Sequence, residues 1–398
     1  MSDNFSAVHS MLGYLFQVQY SLLEILTQDS FQFLTIEKFD DIAIQDTNQN
    51  TKLLQLKHHK SGSLSDSSGD LWKTIRIWCA GINNKQLDVN KTKFTIITTQ
   101  IANEDSIAYY LTPRGRQASN ALNAKDVIKK LWCIAESSAN KENKLAYEEF
   151  KVTELDKLER LIDNILIIDS SPYIQDVEHR IKKQIRYVCS IQHIDAFHER
   201  LEGWWFKRVI KHLVSEGLPP IAYNEVRYKV DDLREQFLME NLPIDFSEDI
   251  EIDAALYQDN IFMEQLKLIN VQGRRCINAI HDYYKASAQR SRWSREELVS
   301  IEEIEKYESK LQKEWERIFD ATIDCIEDEL EHEKNKIRCG KQIYNTIELD
   351  TQINIRKNCT ESYVMRGSYH MLSDALRIGW HPDFKQILNR VNSKQKGA

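Results

Sequence analysis

The sequence predicts an α/β domain at the N-terminal end of the chain, followed by mainly α-helical domains. Strand patterns are confined to the beginning of the chain, where they alternate with helical patterns. Proline and glycine are scarce, at 6 and 12 of 398 residues, which favours long helices over a turn-rich β architecture. A hydrophobic fraction of 42% and a charged fraction of 29% are typical of a soluble globular chain.

The first domain is predicted to contain five elements in the order helix, strand, strand, helix, strand. Apolar periodicity and β-branched runs place them at residues 5–26, 36–44, 53–59, 71–82 and 93–101. Polar residues at 46–50 predict a hairpin-type turn between the first two strands. This order within a short stretch of chain indicates a compact α/β domain.

The remaining chain is predicted to be almost wholly helical. Helices are expected at 154–168, 174–191, 252–288 and 294–336, the last with Ser294 as N-cap and Glu297 completing a capping box. We therefore predict three regions, which are the α/β domain at 1–105, a helical middle region at 106–245 and a helical C-terminal docking or regulatory domain at 246–398.

Charge and cysteine content restrict the class of protein. The formal net charge of −8 shows no basic footprint over the whole chain, so a nucleic-acid substrate would need local basic patches or a partner. The seven cysteines are scattered without a CxxC pair, which is typical of free thiols in a reducing compartment. No apolar run approaches a membrane span and no signal peptide is visible, so we expect a cytoplasmic protein without a membrane partner.

The two neighbouring strands bring a candidate catalytic set together. Because side chains alternate along a strand, Gln55 and Lys57 share one face while Leu54 and Leu56 share the other. Antiparallel pairing with the preceding strand would place Asp41 beside Gln55 and Lys57.

This set suits phosphodiester hydrolysis. Mg²⁺ prefers hard oxygen ligands, and the Asp41 carboxylate, the Gln55 side-chain carbonyl and the Leu56 backbone carbonyl would supply them. The metal would lower the pKa of a bound water, and Lys57 would orient or deprotonate the nucleophile and neutralise the developing charge. The alternative is structural, since a Gln-x-Lys sequence on an exposed strand face and an Asp-Asp pair at an element end are both common.

Three strings in this region resemble the PD-(D/E)XK nuclease superfamily. They are Gly-Tyr-Leu-Phe-Gln at 13–17, Glu-Lys-Phe-Asp-Asp-Ile at 37–42 and Gln-Leu-Lys-His-His at 55–59. More narrowly, they are similar to the nuclease domain of bacterial anti-phage effectors, including the double-stranded DNA endonuclease of CBASS defence and the nuclease subunit of Lamassu, or ABC-three-component, systems.

The resemblance implies a restriction-endonuclease-like fold, Mg²⁺ or Mn²⁺ as cofactor, and specific roles for six residues. It assigns catalysis to Asp41, Gln55 and Lys57, with Glu37, Asp40 and Gln17 as supporting residues. Gln55 stands where an aspartate or glutamate is usual in the superfamily. Because an amide is a weaker, neutral ligand, the metal affinity and the number of metal ions stay open.

Strings near the other end resemble the C-terminal domain of ABC-three-component proteins. They lie at 289–298, 365–372 and 379–384 and include the sequences Arg-Trp-Ser-Arg and Gly-Trp-His-Pro. The resemblance implies that the chain works with an SMC-like ATPase and a small third subunit. It further implies a nuclease that is held inactive until foreign DNA is sensed, and we expect self-association on activation.

Three arginines in the first of these C-terminal strings form a basic cluster. Arg290, Arg292 and Arg295 lie near Trp293 and would contact a phosphate or an acidic partner surface. The other reading is a helix end that supports local ion pairs.

The function expected from the sequence is Mg²⁺-dependent cleavage of double-stranded DNA with little sequence preference, since no base-reading module is visible. The main alternative is a non-catalytic adaptor with a degenerate nuclease fold that docks the ATPase. An RNA nuclease is a further alternative that these residue types do not exclude.

Overall fold

The computed structural model describes residues 6–28, 32–57, 62–104, 106–171, 174–247, 252–325 and 332–388. The chain divides into two compact units. The N-terminal unit comprises Met1–Val188 and Phe197–Asp232, and the C-terminal unit comprises Cys189–Ala196 and Leu233–Ala398.

The first part of the chain alternates strands and helices before it becomes mainly helical. Its elements are α1 (Ser6–Leu26), β1 (Gln32–Ile36), β2 (Ile42–Asp46), β3 (Thr51–Lys57), α2 (Gly69–Asn83), β4 (Thr92–Thr98), α3 (Ile107–Tyr110), α4 (Pro113–Gln117), α5 (Ala124–Ser137), α6 (Lys144–Val152), α7 (Leu155–Asn164), β5 (Ile165–Ile168), α8 (Ile174–Ile185), α9 (Ile194–Val214), β6 (Ile221–Ala222) and α10 (Tyr223–Gln236).

The strands form one mixed sheet in the order β5-β4-β3-β2-β1-β6. Strands β3, β4 and β5 are parallel, whereas β1 pairs antiparallel with both β2 and β6, and β2 pairs antiparallel with β3. The predicted turn at 46–50 is confirmed, because Asp46 Oδ1 accepts hydrogen bonds from the backbone N–H groups of Asn48 and Asn50, both at 2.8 Å.

Helices cover both faces of the sheet. Ala43 and Leu53 pack into a core with the fully buried Trp72 and Trp78 of α2. On the other face, Lys52 of β3 forms a 2.9 Å ion pair with Glu24 of α1. This double burial explains why β3 carries an apolar run rather than a strict alternation of apolar and polar residues.

Two predicted elements differ from the observed ones. Residues 36–44 are not one strand, because the chain leaves β1 at Ile36 and bends before β2 begins at Ile42. Residues 165–168 form β5 rather than the end of a helix, since this β-branched Ile-Leu-Ile-Ile run pairs with β4. His58 and His59 of the second predicted strand lie outside the described residues.

The predicted boundary at residue 105 does not separate two units. Strands β5 and β6 come from the predicted middle region but belong to the same sheet as β1–β4, and the N-terminal unit includes most of that region, at 106–188 and 197–232. Sheet pairing between segments distant in sequence cannot be read from local periodicity, which is why the sequence divided this unit.

The C-terminal unit is helical. It contains α11 (Ile261–Leu268), α12 (Arg274–Arg295), α13 (Ile301–Asp324), α14 (Glu333–Asn345) and α15 (Ser362–Asp374), with 3₁₀ turns at Ile191–His193 and Ala254–Tyr257 and a π-turn at Thr346–Asp350. Its core includes Trp293, Trp315, Tyr344, Tyr369 and Trp380.

The long helices predicted here are shorter in the structure. Residues 252–288 are interrupted between α11 and α12, where Asn270 and Gly273 adopt positive φ angles of 54° and 65°. The predicted cap at Ser294 is wrong, because that residue lies inside α12. The N-cap lies six residues later, where Ser300 Oγ accepts the Glu303 N–H at 3.1 Å.

Candidate active site

A bend at residues 37–41, between β1 and β2, carries the acidic side chains. Glu37 has a φ of 58°, a left-handed conformation that costs a non-glycine residue about 1 kcal/mol. Its N–H donates to the Asp41 carbonyl at 3.2 Å and closes the bend. Asp41 therefore lies just before β2, whereas the sequence predicts that it lies within a strand.

The end of β3 holds the Asp41 carboxylate. Ile42 pairs with Leu54, so Asp41 lies level with Gln55. Its Oδ2 accepts hydrogen bonds from the Leu56 N–H, at 2.7 Å, and from the Gln55 side-chain amide. Thus the structure brings Asp41, Gln55 and Lys57 together, as the sequence predicts.

Glu37 and Gln17 join this group. The Gln17 side chain of α1 hydrogen-bonds to the carboxylates of both Glu37 and Asp41. Burial raises the pKa of Asp41. The pKa of Glu37 is also raised, mainly by burial and to a smaller extent by repulsion from the Asp41 carboxylate. The positive charge of Lys57 acts in the opposite direction on both groups.

Asp40 is held differently from Asp41. Its Oδ2 accepts the indole N–H of the buried Trp78 at 2.7 Å, and its Oδ1 accepts the Asp41 N–H at 3.1 Å. Burial raises the pKa of Asp40 to about 6, although these hydrogen bonds oppose the increase. Asp40 therefore fixes the bend against α2, which agrees with a supporting role.

An open cleft of about 310 Å³ is lined by Glu37, Asp40, Asp41, Gln55 and Lys57. Lys38, Lys73 and Ile77 also line it, and sequence reasoning did not single them out. The available signal was the i,i+4 spacing of Lys73 and Ile77 in α2, which places these two side chains on one face of the helix. A larger cleft of about 430 Å³ near the β2–β3 turn lacks the clustered carboxylates, so we place the chemistry in the smaller one.

The donor atoms suit a hard cation. Among the described residues there is no group of three or more His, Cys, Asp and Glu side chains arranged to hold a metal. Mg²⁺ needs fewer, since it commonly binds one or two carboxylates and completes its shell with water and phosphate. The Asp41 and Glu37 carboxylates meet that requirement.

The Leu56 carbonyl and the Gln55 amide would complete the protein ligands. The Lys57 carbonyl accepts the Thr99 N–H at 3.2 Å on the β4 side, so the preceding Leu56 carbonyl faces the edge where Asp41 lies. Gln55 presents its NH₂ group to Asp41, and a half-turn of the amide would present its oxygen instead.

The arginine cluster is structural at two of its three positions. Arg290 is 6% exposed, forms an ion pair with Glu308 and donates to Ser368 Oγ at 3.2 Å. Arg292 pairs with Glu296 at 2.8 Å and with Asp245 at 3.4 Å. The prediction of a phosphate contact is therefore wrong for Arg290, whose buried charge is already paired, while Arg295 is exposed near the end of α12.

The C-terminal strings encode close packing. A Cβ atom at Gly367 of α15 would lie 2.0 Å from the Asp282 carbonyl oxygen of α12, so only glycine allows this helix contact. The side chain of the fully buried Gln265 donates to the Ser373 carbonyl at 2.7 Å and accepts the backbone N–H of Trp380 at 3.2 Å. The Gly-Trp-His-Pro segment packs Trp380 into the core.

Comparison with known proteins identifies the C-terminal region. Residues 262–388 match the family model described as C-terminal domain 7 of the ABC-three component (ABC-3C) systems. This match confirms the resemblance of the C-terminal strings to ABC-three-component proteins. No curated protein matches the chain.

Solved structures give only remote similarities. A Cap4 SAVED/CARF-domain containing receptor from Moraxella osloensis is 12% identical, with 67% of this chain and 61% of that chain covered and a TM-score of 0.35. The Acinetobacter baumannii Cap4 receptor is 13% identical, with 72% and 61% covered and the same TM-score. The chain thus spans about three fifths of these structures.

At a TM-score of 0.35 these similarities do not establish a shared fold. The mixed sheet with helices is observed, and its restriction-endonuclease-like character stays a prediction. None of the described helices is long and apolar enough to span a bilayer.

Proposed function

We propose that this chain is a metal-dependent endonuclease that cuts double-stranded DNA as the effector of an ABC-three-component defence complex. The observation that carries the proposal is the Asp41 carboxylate, which is held by Gln55 and the Leu56 N–H beside Lys57 in an open cleft. The order α1-β1-β2-β3-α2-β4 around that cleft supports it.

Charge balance favours a bound cation. The negative charge of Asp41 raises the pKa of both Glu37 and Asp40, and the positive charge of Lys57 lowers the pKa of all three carboxyls. Burial is the largest cause of the three raised pKa values, and the positive charge of Lys57 only partly offsets it, so a bound cation would further favour the charged carboxylates. When bound, Mg²⁺ or Mn²⁺ would supply a water of lowered pKa and neutralise charge on the phosphate.

The protein residues would divide the remaining work. The Asp41 carboxylate and the Gln55 side-chain oxygen would be ligands of the metal ion, and Asp40 would hold the bend through its hydrogen bond from Trp78. Lys57 would orient or deprotonate the attacking water and stabilise the developing charge. Lys38 and Lys73 are exposed at the same cleft and would contact the DNA backbone. Such local positive charge is needed because the whole chain has a net charge of −8.

The C-terminal match supports a place in a multi-component system. We infer that the domain at 262–388 docks the chain to its partners, an SMC-like ATPase and a small third subunit. Nuclease activity would be restrained until the complex is triggered, and self-association would then allow both strands to be cut. The alternative is an adaptor role, in which the same docking domain holds a nuclease-like unit that does not cut.

The proposed site makes cleavage dependent on pH. Since the pKa of Asp40 is about 6, cleavage should decline as the pH falls through 6 and the bend loses a charged hydrogen-bond acceptor. Stability should change in the opposite direction. Because the pKa of Asp40 is raised in the folded state, the folded protein binds the proton more tightly than the unfolded chain does. Protonation of Asp40 therefore stabilises the fold at low pH, and this stabilisation is lost as the pH rises through about 6.

Asp40→Asn removes this titration and is the matched control. We measure the cleavage rate and the free energy of unfolding in urea for both proteins and subtract the value of the variant from that of the wild type. Between about pH 4 and 6, we expect the difference in cleavage rate to rise with pH and the difference in unfolding free energy to fall. Parallel profiles in the two proteins would contradict the assignment.

A substrate panel separates the candidate functions. The purified chain, alone and with its partner subunits, is incubated with Mg²⁺ or Mn²⁺ and supercoiled plasmid, single-stranded DNA or RNA. Cleavage of the plasmid but not of the other substrates supports the proposal, and preferential cleavage of RNA supports the RNA nuclease. Absence of cleavage of any substrate under all combinations supports the adaptor.

A further inference from the structure

His212, near the end of α9, reaches the main chain of β1. Its side chain is 0% exposed. The Ile36 N–H donates to His212 Nε2 at 3.0 Å, and His212 Nδ1 lies 2.8 Å from the Pro219 carbonyl oxygen. These two contacts connect the last residue of β1 with the segment that leads into β6.

The contacts define the tautomer of the neutral imidazole. A carbonyl oxygen only accepts hydrogen bonds, so Nδ1 carries the proton and donates to Pro219. Nε2 is then unprotonated and accepts the Ile36 N–H. Nε2 also lies 3.2 Å from the Ile36 carbonyl oxygen, which receives no hydrogen bond from the ring in this tautomer.

The imidazole takes over where strand pairing ends. β6 pairs with β1 at Leu34 and Phe33, and Ile36 lies two residues beyond Leu34. A buried backbone N–H without a partner is costly, and Ile36 is 2% exposed. His212 thus provides the acceptor that a longer β6 would have provided.

The next residue after Ile36 begins the candidate active site. Glu37 has the left-handed backbone conformation, and residues 37–41 carry the carboxylates. The orientation of Glu37 and Asp41 therefore depends on how Ile36 is fixed. Pairing with Ile42 holds Ile36 from the β2 side, and His212 holds it from the other.

We infer that His212 is a positioning residue, which acts through the Ile36 N–H to set the bend that carries Glu37, Asp40 and Asp41. The catalytic part of this inference rests on the proposed nuclease function, whereas the positioning contact does not.

Three substitutions separate the roles of the two nitrogens. His212→Gln can keep an acceptor near Nε2, His212→Asn can keep the donor near Nδ1, and His212→Phe keeps the bulk alone. Hydrogen–deuterium exchange of peptides covering 32–41 reports the bend directly in the full-length chain. Mn²⁺ affinity, followed by electron paramagnetic resonance, reports the carboxylates.

We expect exchange to be on the order of tenfold faster in His212→Phe and His212→Asn, with recovery towards wild type in His212→Gln. Mn²⁺ affinity should follow the same order. If His212→Phe does not fold, the comparison of His212→Asn with His212→Gln still decides.

Equal exchange in His212→Asn and His212→Gln would overturn the inference, as would wild-type protection in His212→Phe. A wild-type chain that neither binds Mn²⁺ nor cuts nucleic acid would instead refute the proposed function. In that case, the exchange measurements would still confirm or overturn the positioning contact.

Discussion

Asp41→Asn should lower metal-dependent cleavage by about a thousandfold, because several kcal/mol of metal-derived charge stabilisation would be lost. Asparagine keeps the size of the side chain but removes the negative charge that would attract the metal. The substitution also removes the acceptor charge held by Gln55 and the Leu56 N–H. Initial rates of plasmid nicking at saturating Mg²⁺ would measure the effect.

The same substitution should not unfold the protein. Burial raises the pKa of Asp41, so the charged carboxylate is disfavoured in the fold and its removal should leave stability equal or higher at neutral pH. Calorimetric titration should show that Mg²⁺ binding is lost together with activity. Full Mg²⁺ binding by a folded, inactive Asp41→Asn variant would exclude Asp41 as a ligand.

Gly367→Ala should destabilise the C-terminal unit by about 3 kcal/mol. The added Cβ would lie 2.0 Å from the Asp282 carbonyl oxygen and 2.5 Å from the Ala286 Cβ, so α12 and α15 would have to move apart. Both helices belong to the same core, which makes local relief difficult. Urea unfolding, with the transition of the C-terminal unit followed separately, would measure the change.

Gly203→Ala is the matched control for the helical glycine. Gly203 lies within α9, and a Cβ added there would have no heavy atom within 4 Å beyond its own helix backbone and chain neighbours. Alanine should therefore stabilise this helix by about 0.5–1 kcal/mol. If both substitutions have the same small effect, close packing of α12 against α15 does not explain the glycine at 367.

Local signals in the sequence predicted many individual elements. The helical spacing of 5–26 and 71–82 corresponds to α1 and α2, and the β-branched run at 93–101 corresponds to β4. The break between α11 and α12 was missed because two residues with positive φ angles, Asn270 and Gly273, interrupt an otherwise helical pattern. The strands β5 and β6 were missed because partners distant in sequence stabilise them.

The candidate site was predicted more completely than the fold around it. Strand alternation was sufficient to place Gln55 and Lys57 together, and pairing of β2 with β3 brings Asp41 to them. The contacts of Trp78 with Asp40 and of His212 with Ile36 depend on tertiary packing, so no local pattern reveals them. The buried pairing of Arg290 was likewise invisible, since its partner Glu308 lies on the next helix.

The most direct test of the central claim is plasmid cleavage by wild type, Lys57→Ala and Lys52→Ala, with Mg²⁺ and with a chelator. Both lysines lie on β3, but Lys57 lines the cleft whereas Lys52 pairs with Glu24. We predict that the wild type and Lys52→Ala cut only with metal, and that Lys57→Ala is about a hundredfold slower. Equal cutting by Lys57→Ala and wild type, or cutting that persists in the chelator, would contradict the account.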